Sequence, residues 1–191
     1  MNFQQYQNQI TAACGPLNHA ERVAVCLMCC NRLAPLYLQF STTEHWGNPE
    51  TLWQVRELAG NWLVGDRSIP AALRSQIDAV IPDTEDFSSP LVSYALNASA
   101  AHADLLDLLL DDKLELVLQV LQDCYDSVDF FVQERLDPEY KDGVTEQQVE
   151  NHAAMRAEVD WQFSTIQAVT GNTDLINLVR RSERDPIFET V

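Results

Sequence analysis

The residues with the most recognisable chemical spacing are Cys26-x-x-Cys29 and the neighbouring Cys30, the letter pattern of a redox or zinc motif. A thioredoxin-type pair follows a strand at a helix start, and zinc needs two further ligands at matching spacing, neither of which this sequence supplies. Leu27 and Met28 fill the gap inside the apolar run Val23–Cys30, so these thiols read as small core hydrophobes. A di-metal centre in a helical bundle needs Glu-x-x-His pairs that project carboxylate and imidazole from one face. Pro16, Thr42, Ser99 and Val149 stand three residues before His19, His45, His102 and His152, so that chemistry is excluded, as is His-Glu-x-x-His. A carboxylate-only cation site stays open. The loop Asp137–Gly143 fails as a calcium loop, because Gly143 in sixth place would put Pro138 first and Tyr140 third.

There is no Gly-x-Ser-x-Gly, phosphate-cradling glycine loop or dinucleotide fingerprint, and no motif calls for a cofactor. His102 and His152 are the two helical histidines available for acid–base work, and neither has a visible partner to tune it. Trp46, Trp53, Trp62 and Trp161 read as core or half-buried anchors. That leaves two acidic stripes, Asp104, Asp107, Asp111 and Asp123, Asp126, Asp129, at spacings of three and four. Like charges three residues apart destabilise a helix modestly. A solvated face that keeps the protein soluble explains them; a docking surface for a basic protein partner does so too, and at the extreme a mimic of the DNA phosphate line.

The elements that must carry these residues are helices. Asn18-x-x-Glu21 has the form of a capping box ahead of the Val23 run, and Asn48-Pro49 starts a second helix that ends at Gly65. Pro70 and Pro82 bracket a short helix, and Asp83–Ser88 is a polar connection. Ser89-Pro90 opens a long helix to Leu110, with Asp104 and Asp107 on its polar stripe. The next, from Lys113 to Asp137, places Val117, Leu121, Cys124, Val128 and Phe131 on one seam and Asp123, Asp126 and Asp129 outside it. Thr145-x-x-Gln148 caps a helix to Gly171, and a last helix spans Asp174 to Arg184. Strand signals are nearly missing. The pattern predicts an all-α single domain over 1–191, a bundle of seven to eight mostly antiparallel helices.

Charge sharpens the reading. The 191 residues are 46% hydrophobic, which excludes a disordered acidic tail, and 12 basic against 29 acidic side chains give a net charge of −17. Such a polyanion repels nucleic acid and anionic membrane surfaces. Residues 1–82 hold five basic and six acidic side chains, net −1; residues 83–191 hold seven and 23, net −16. The acidity thus belongs to the second half. The longest apolar run has eight residues, against about 20 for a bilayer span, and the start lacks a leader pattern. With five cysteines, an odd number in apolar surroundings, a reducing cytoplasmic compartment is expected.

The segment Ala24–Tyr37, followed by Phe40, resembles the first long helix of the YjaG-like bacterial proteins, a family of unknown function. Ile81–Phe87 and Tyr94–Ala98 are similar to that family's second recognisable segment, and the resemblance runs from about Glu21 to Arg181. It departs at Asn97, where that segment carries an acid, and in the tail Asp185–Val191. The resemblance implies an all-α cytoplasmic bacterial protein with no established activity, linked by gene neighbourhood to histidine-kinase signalling. It offers no catalytic residue to transfer. The expectation is therefore a non-catalytic interaction or regulatory module, docking a basic or signalling protein through its acidic face, with self-association left open. The rival is a helical enzyme using scattered carboxylates, His102 or His152, or a weak metal site between helices.

Overall fold

A computed structural model describes residues 1–138, 143–183, 185 and 187–188, and within them every regular element is a helix. The nine α-helices among these residues are α1 (Phe3–Cys14), α2 (His19–Glu44), α3 (Pro49–Leu63), α4 (Leu73–Asp78), α5 (Leu91–Leu110), α6 (Leu114–Leu136), α7 (Glu146–Glu150), α8 (Ala153–Val169) and α9 (Leu175–Ser182). A 3-10 turn covers Thr84–Asp86. The bundle matches the expected class but has more helices than seven to eight. The polar stretch before Gly15 forms α1, capped by Asn2 and Gln5, and the helix expected from Thr145 breaks at Asn151–His152 into α7 and α8.

Side-chain caps start the elements where their residues require it. Asn18 and Glu21 form a reciprocal capping box on α2, Thr145 and Gln148 do so on α7, and Asn48 caps α3 with Pro49 in its first turn. These bonds satisfy amide groups that a helix start leaves free.

Helix α2 is the centre of the bundle and packs against α3, α5, α6, α8 and α9. Among the described residues it is the one helix long and apolar enough to cross a membrane, and 72% of its apolar window is buried in the fold instead. It continues past Pro35, which gives no N–H to the Asn31 carbonyl. Beyond that break Tyr37 and Phe40 are fully buried. Their burial, about 2 kcal/mol each, offsets a proline cost of about 3 kcal/mol. The Tyr37 hydroxyl donates to the Val80 carbonyl at 2.8 Å, tying α2 to the segment after α4.

A buried polar chain joins four helices. Arg32 Nη1 on α2 lies 2.8 Å from Glu158 Oε2 on α8, and both side chains are almost wholly enclosed. The guanidinium also sits 3.8 Å over the Trp161 ring. Gln162 Nε2 donates to Glu158 Oε1 and to the Leu121 carbonyl, while Tyr6 on α1 donates to Gln162 Oε1 at 2.7 Å. Gly171 N donates to Glu21 Oε1 at 2.6 Å, so the end of α8 closes onto the start of α2.

A connection of three residues, Asp111–Lys113, folds α6 back on α5. Asn97 Nδ2 donates to Ser127 Oγ at 3.1 Å across the pair. The buried face of α6 is wider than the expected seam. It includes Val120, Asp123, Ser127 and Val132, with Phe131 only half buried, because α6 packs on α1, α2 and α8 as well as α5.

Candidate functional site

The acidic residues of α5 and α6 do not form the two exposed stripes expected of them. Asp123 is 7% exposed, a correction to its placement outside the seam: it faces α5 from the same side of α6 as Ser127. Asp104, Asp107 and Asp129 are half buried, and Asp111 and Asp126 are exposed. Asp111 caps the C-terminal end of α5 and pairs with Lys113 at 2.5 Å, so it stands apart from the others. Asp107 meets Arg74 Nη1 at 2.7 Å, and Arg74 also reaches Asp78 at 3.1 Å.

The remaining carboxylates form a line across the α5–α6 pair, in which Asp107 acts on Asp104, Asp104 and Asp126 on Asp123, and Asp129 on Asp126. Burial first, then Asp107, pushes Asp104 up to about 6. Burial, then Asp104 and Asp126, pushes Asp123 up to about 8. Asp126 is raised by burial and by Asp129 against a lowering bond from Gln122, and Asp129 by burial against one from Gln133. Arg74, at the Asp107 end, is the one cation that acts on this line among the described residues. Asp123 Oδ2 is enclosed with no hydrogen-bond partner among them. A buried carboxylate with neither cation nor donor carries a desolvation cost that protonation relieves.

Neither histidine weighed for acid–base work is placed for it. His102 is fully buried, its Nδ1–H donates to the Ala98 carbonyl at 2.6 Å, and burial lowers its pKa to about 3. It therefore stays neutral near pH 7. His152 lies outside a helix interior: it is the N-cap of α8, where Nδ1 accepts from Ala154 N at 3.2 Å. Cys26, Cys29, Cys30 and Cys124 are fully enclosed; burial holds Cys26, Cys30 and Cys124 well above the ordinary thiol range. Cys30 Sγ donates to the Ala101 carbonyl at 3.4 Å, a packing role in keeping with the core reading of the motif. Among the described residues no group of three or more His, Cys, Asp or Glu side chains is arranged to hold a metal ion. Residues 139–142 of the loop tested as a calcium site, and Arg184, Pro186 and 189–191 of the tail, lie outside the described residues.

The sequence reading missed a second polar feature, a cleft of about 480 Å³ between α2, α3 and α9. Asn31, Arg56 and Trp53 line it, and Trp53 is 46% exposed rather than an anchor in the core. Gly60, a glycine inside α3, also lines it and was the available signal, since such a residue costs a helix about 1 kcal/mol relative to alanine.

Comparison with protein families finds a match to the DUF416 model, described as a protein of unknown function, over residues 9–185. A comparison with curated proteins finds no match. Among solved structures, the crystal structure of a DUF416 family protein from Shewanella baltica OS155 is similar, with a TM-score of 0.77 and 20% sequence identity over 91% of this chain and 92% of that one. At that identity the likeness speaks to the fold.

Proposed function

The chain belongs to the DUF416 family, whose function is unknown, and from that premise we propose that it is a non-catalytic interaction module that docks a basic protein through the α5–α6 carboxylate line. Within the family, the segments Ala24–Tyr37 and Ile81–Phe87 support a kinship with the YjaG-like proteins. The observation that carries the reading is the run Asp107, Asp104, Asp123, Asp126 and Asp129, self-repelling and, among the described residues, served by a single arginine at one end. Lys or Arg side chains of a partner would supply the missing cations and remove the repulsion. The burial of Asp123 makes the line more than a solubilising surface, since solubility is served by fully solvated acids. On the YjaG-like resemblance the partner is a component of histidine-kinase signalling, and the compartment is the cytoplasm.

A matched-charge comparison tests this. A lysine- and arginine-rich peptide is titrated into the wild type, into Asp104→Asn/Asp107→Asn/Asp126→Asn, and into Glu50→Gln/Asp66→Asn/Glu85→Gln, whose three exposed acids lie elsewhere. Both variants lose three charges. The first should weaken binding at least tenfold, at about 0.5–1 kcal/mol for each ion pair removed, and the second less than twofold. Equal weakening would leave only bulk charge.

A further inference from the structure

The arginine of the α2–α3–α9 cleft is anomalous in this chain. Acids outnumber bases 29 to 12, yet among the described residues no carboxylate lies within ion-pair distance of Arg56. Its guanidinium is half buried, and burial lowers its pKa against opposing contributions from Cys30 and then Glu183. Its bond to the neighbouring helix is a long one, Nη1 to Asn31 Oδ1 at 3.3 Å. Arg56 Nε and Asn31 Nδ2 are both enclosed donors with no acceptor among the described residues, and Asn31 as a whole is only 9% exposed. Buried N–H groups of this kind are regularly matched by an acceptor, and leaving one unmatched on each of two touching side chains carries a standing cost.

The space beside these donors is large. The 480 Å³ cleft meets a second hollow of about 360 Å³ at Asn31, Trp53, Arg56 and Glu183. Gly60 keeps the first one open: a Cβ there would find only Ile176 Cδ1, at 3.9 Å, so no close packing demands a glycine. The exposed indole of Trp53 offers a flat apolar wall at the junction. Arg56 and Arg180 balance Glu57 and Glu183 around the cleft, so an anion meets no net repulsion there although the chain as a whole is strongly negative.

We propose that this cleft binds a small organic carboxylate with a flat apolar body, its carboxylate held by the Arg56 guanidinium beside Asn31 and its body lying against Trp53. A carboxylate suits the site because it presents two acceptors in one plane to the forked donors of a guanidinium, and charge assistance strengthens such bonds. The inference is independent of the α5–α6 docking reading, which lies on other helices.

Benzoate is the probe, with benzyl alcohol as its uncharged counterpart. Titration of the ¹⁵N-labelled full chain should shift the Asn31 side-chain amide and the Arg56 Nε–H resonances with a Kd on the order of 1 mM, the range for a fragment of this size. Benzyl alcohol should shift them at least tenfold more weakly. Arg56→Gln should weaken benzoate at least tenfold, and Gly60→Leu, which fills the cleft from an open position, should abolish binding with the helical content retained. If Arg56→Gln does not fold, Gly60→Leu decides alone. Benzoate binding that survives Gly60→Leu, equal response to the alcohol, or no shift at these groups by 20 mM, roughly twenty times that Kd, would overturn the proposal. Asp104→Asn/Asp107→Asn/Asp126→Asn should bind benzoate as the wild type does, which separates this outcome from the fate of the docking reading.

Discussion

Asp123 is the residue on which the largest single prediction rests. Its carboxyl stands at about 8 in the folded chain, raised first by burial and then by Asp104 and Asp126, against about 3.9 in an unfolded one. The folded state therefore holds a proton that the unfolded state releases. Its stabilising share is fully present below about pH 4 and is lost as pH rises through 8; Asp104, at about 6, acts in the same sense over the lower part of that window. The groups facing Asp123 are Asp104 and Asp126, while Arg74, which favours the ionised form of Asp104, pairs with Asp107. Asp123→Asn should stabilise the protein by about 1–3 kcal/mol at pH 8, change little at pH 4, and flatten the stability profile between them. Chemical denaturation across that range is the check, and a profile that keeps its wild-type slope in the variant would contradict the assignment.

Helices were legible in the sequence where a short-range chemical signal marked them. Asn18 with Glu21, Asn48 with Pro49, and Thr145 with Gln148 cap as their types demand. Helix α1 was hidden because its buried positions, Tyr6, Ile10 and Cys14, are sparse among glutamines and asparagines. The α7–α8 break carries no glycine or proline; it is marked by His152 turning to cap α8. Periodicity told which residues of α6 could share a face but not how wide a face its helical neighbours would cover, so Asp123 was misplaced. The cleft was beyond reach for a related reason, since Asn31, Arg56 and Arg180 come together only when α2, α3 and α9 do. At this scale the connection from α2 to α3 makes its own prediction. Gly47 has φ +77°, and a Cβ there would lie 2.2 Å from the Tyr37 hydroxyl that holds Val80; Gly65 has φ +104° with open space around it. Gly47→Ala should cost about 2–4 kcal/mol, combining backbone strain with displacement of Tyr37, while Gly65→Ala should cost only about 1 kcal/mol. Similar destabilisation of the two in thermal unfolding would mean that Tyr37 does not constrain the turn.

For the whole molecule, a charge of −17 says what the chain repels, and its distribution says where a cation is missing. The second half carries nearly all the excess. Within it the carboxylate line on α5 and α6 is partly buried and served at one end by Arg74, whereas Asp111 and Asp112 nearby are paired with Lys113 and Arg22. Docking of a basic partner must pull the carboxyls of this line back toward their ordinary range, so binding and proton release are linked. Calorimetric titration of the lysine- and arginine-rich peptide at pH 7, repeated in buffers of different ionisation enthalpy, measures that release directly. Net release of roughly half to one proton per complex is expected, falling toward zero in Asp123→Asn. Binding with no proton exchange, or with the same exchange in wild type and Asp123→Asn, would contradict the docking role of the line.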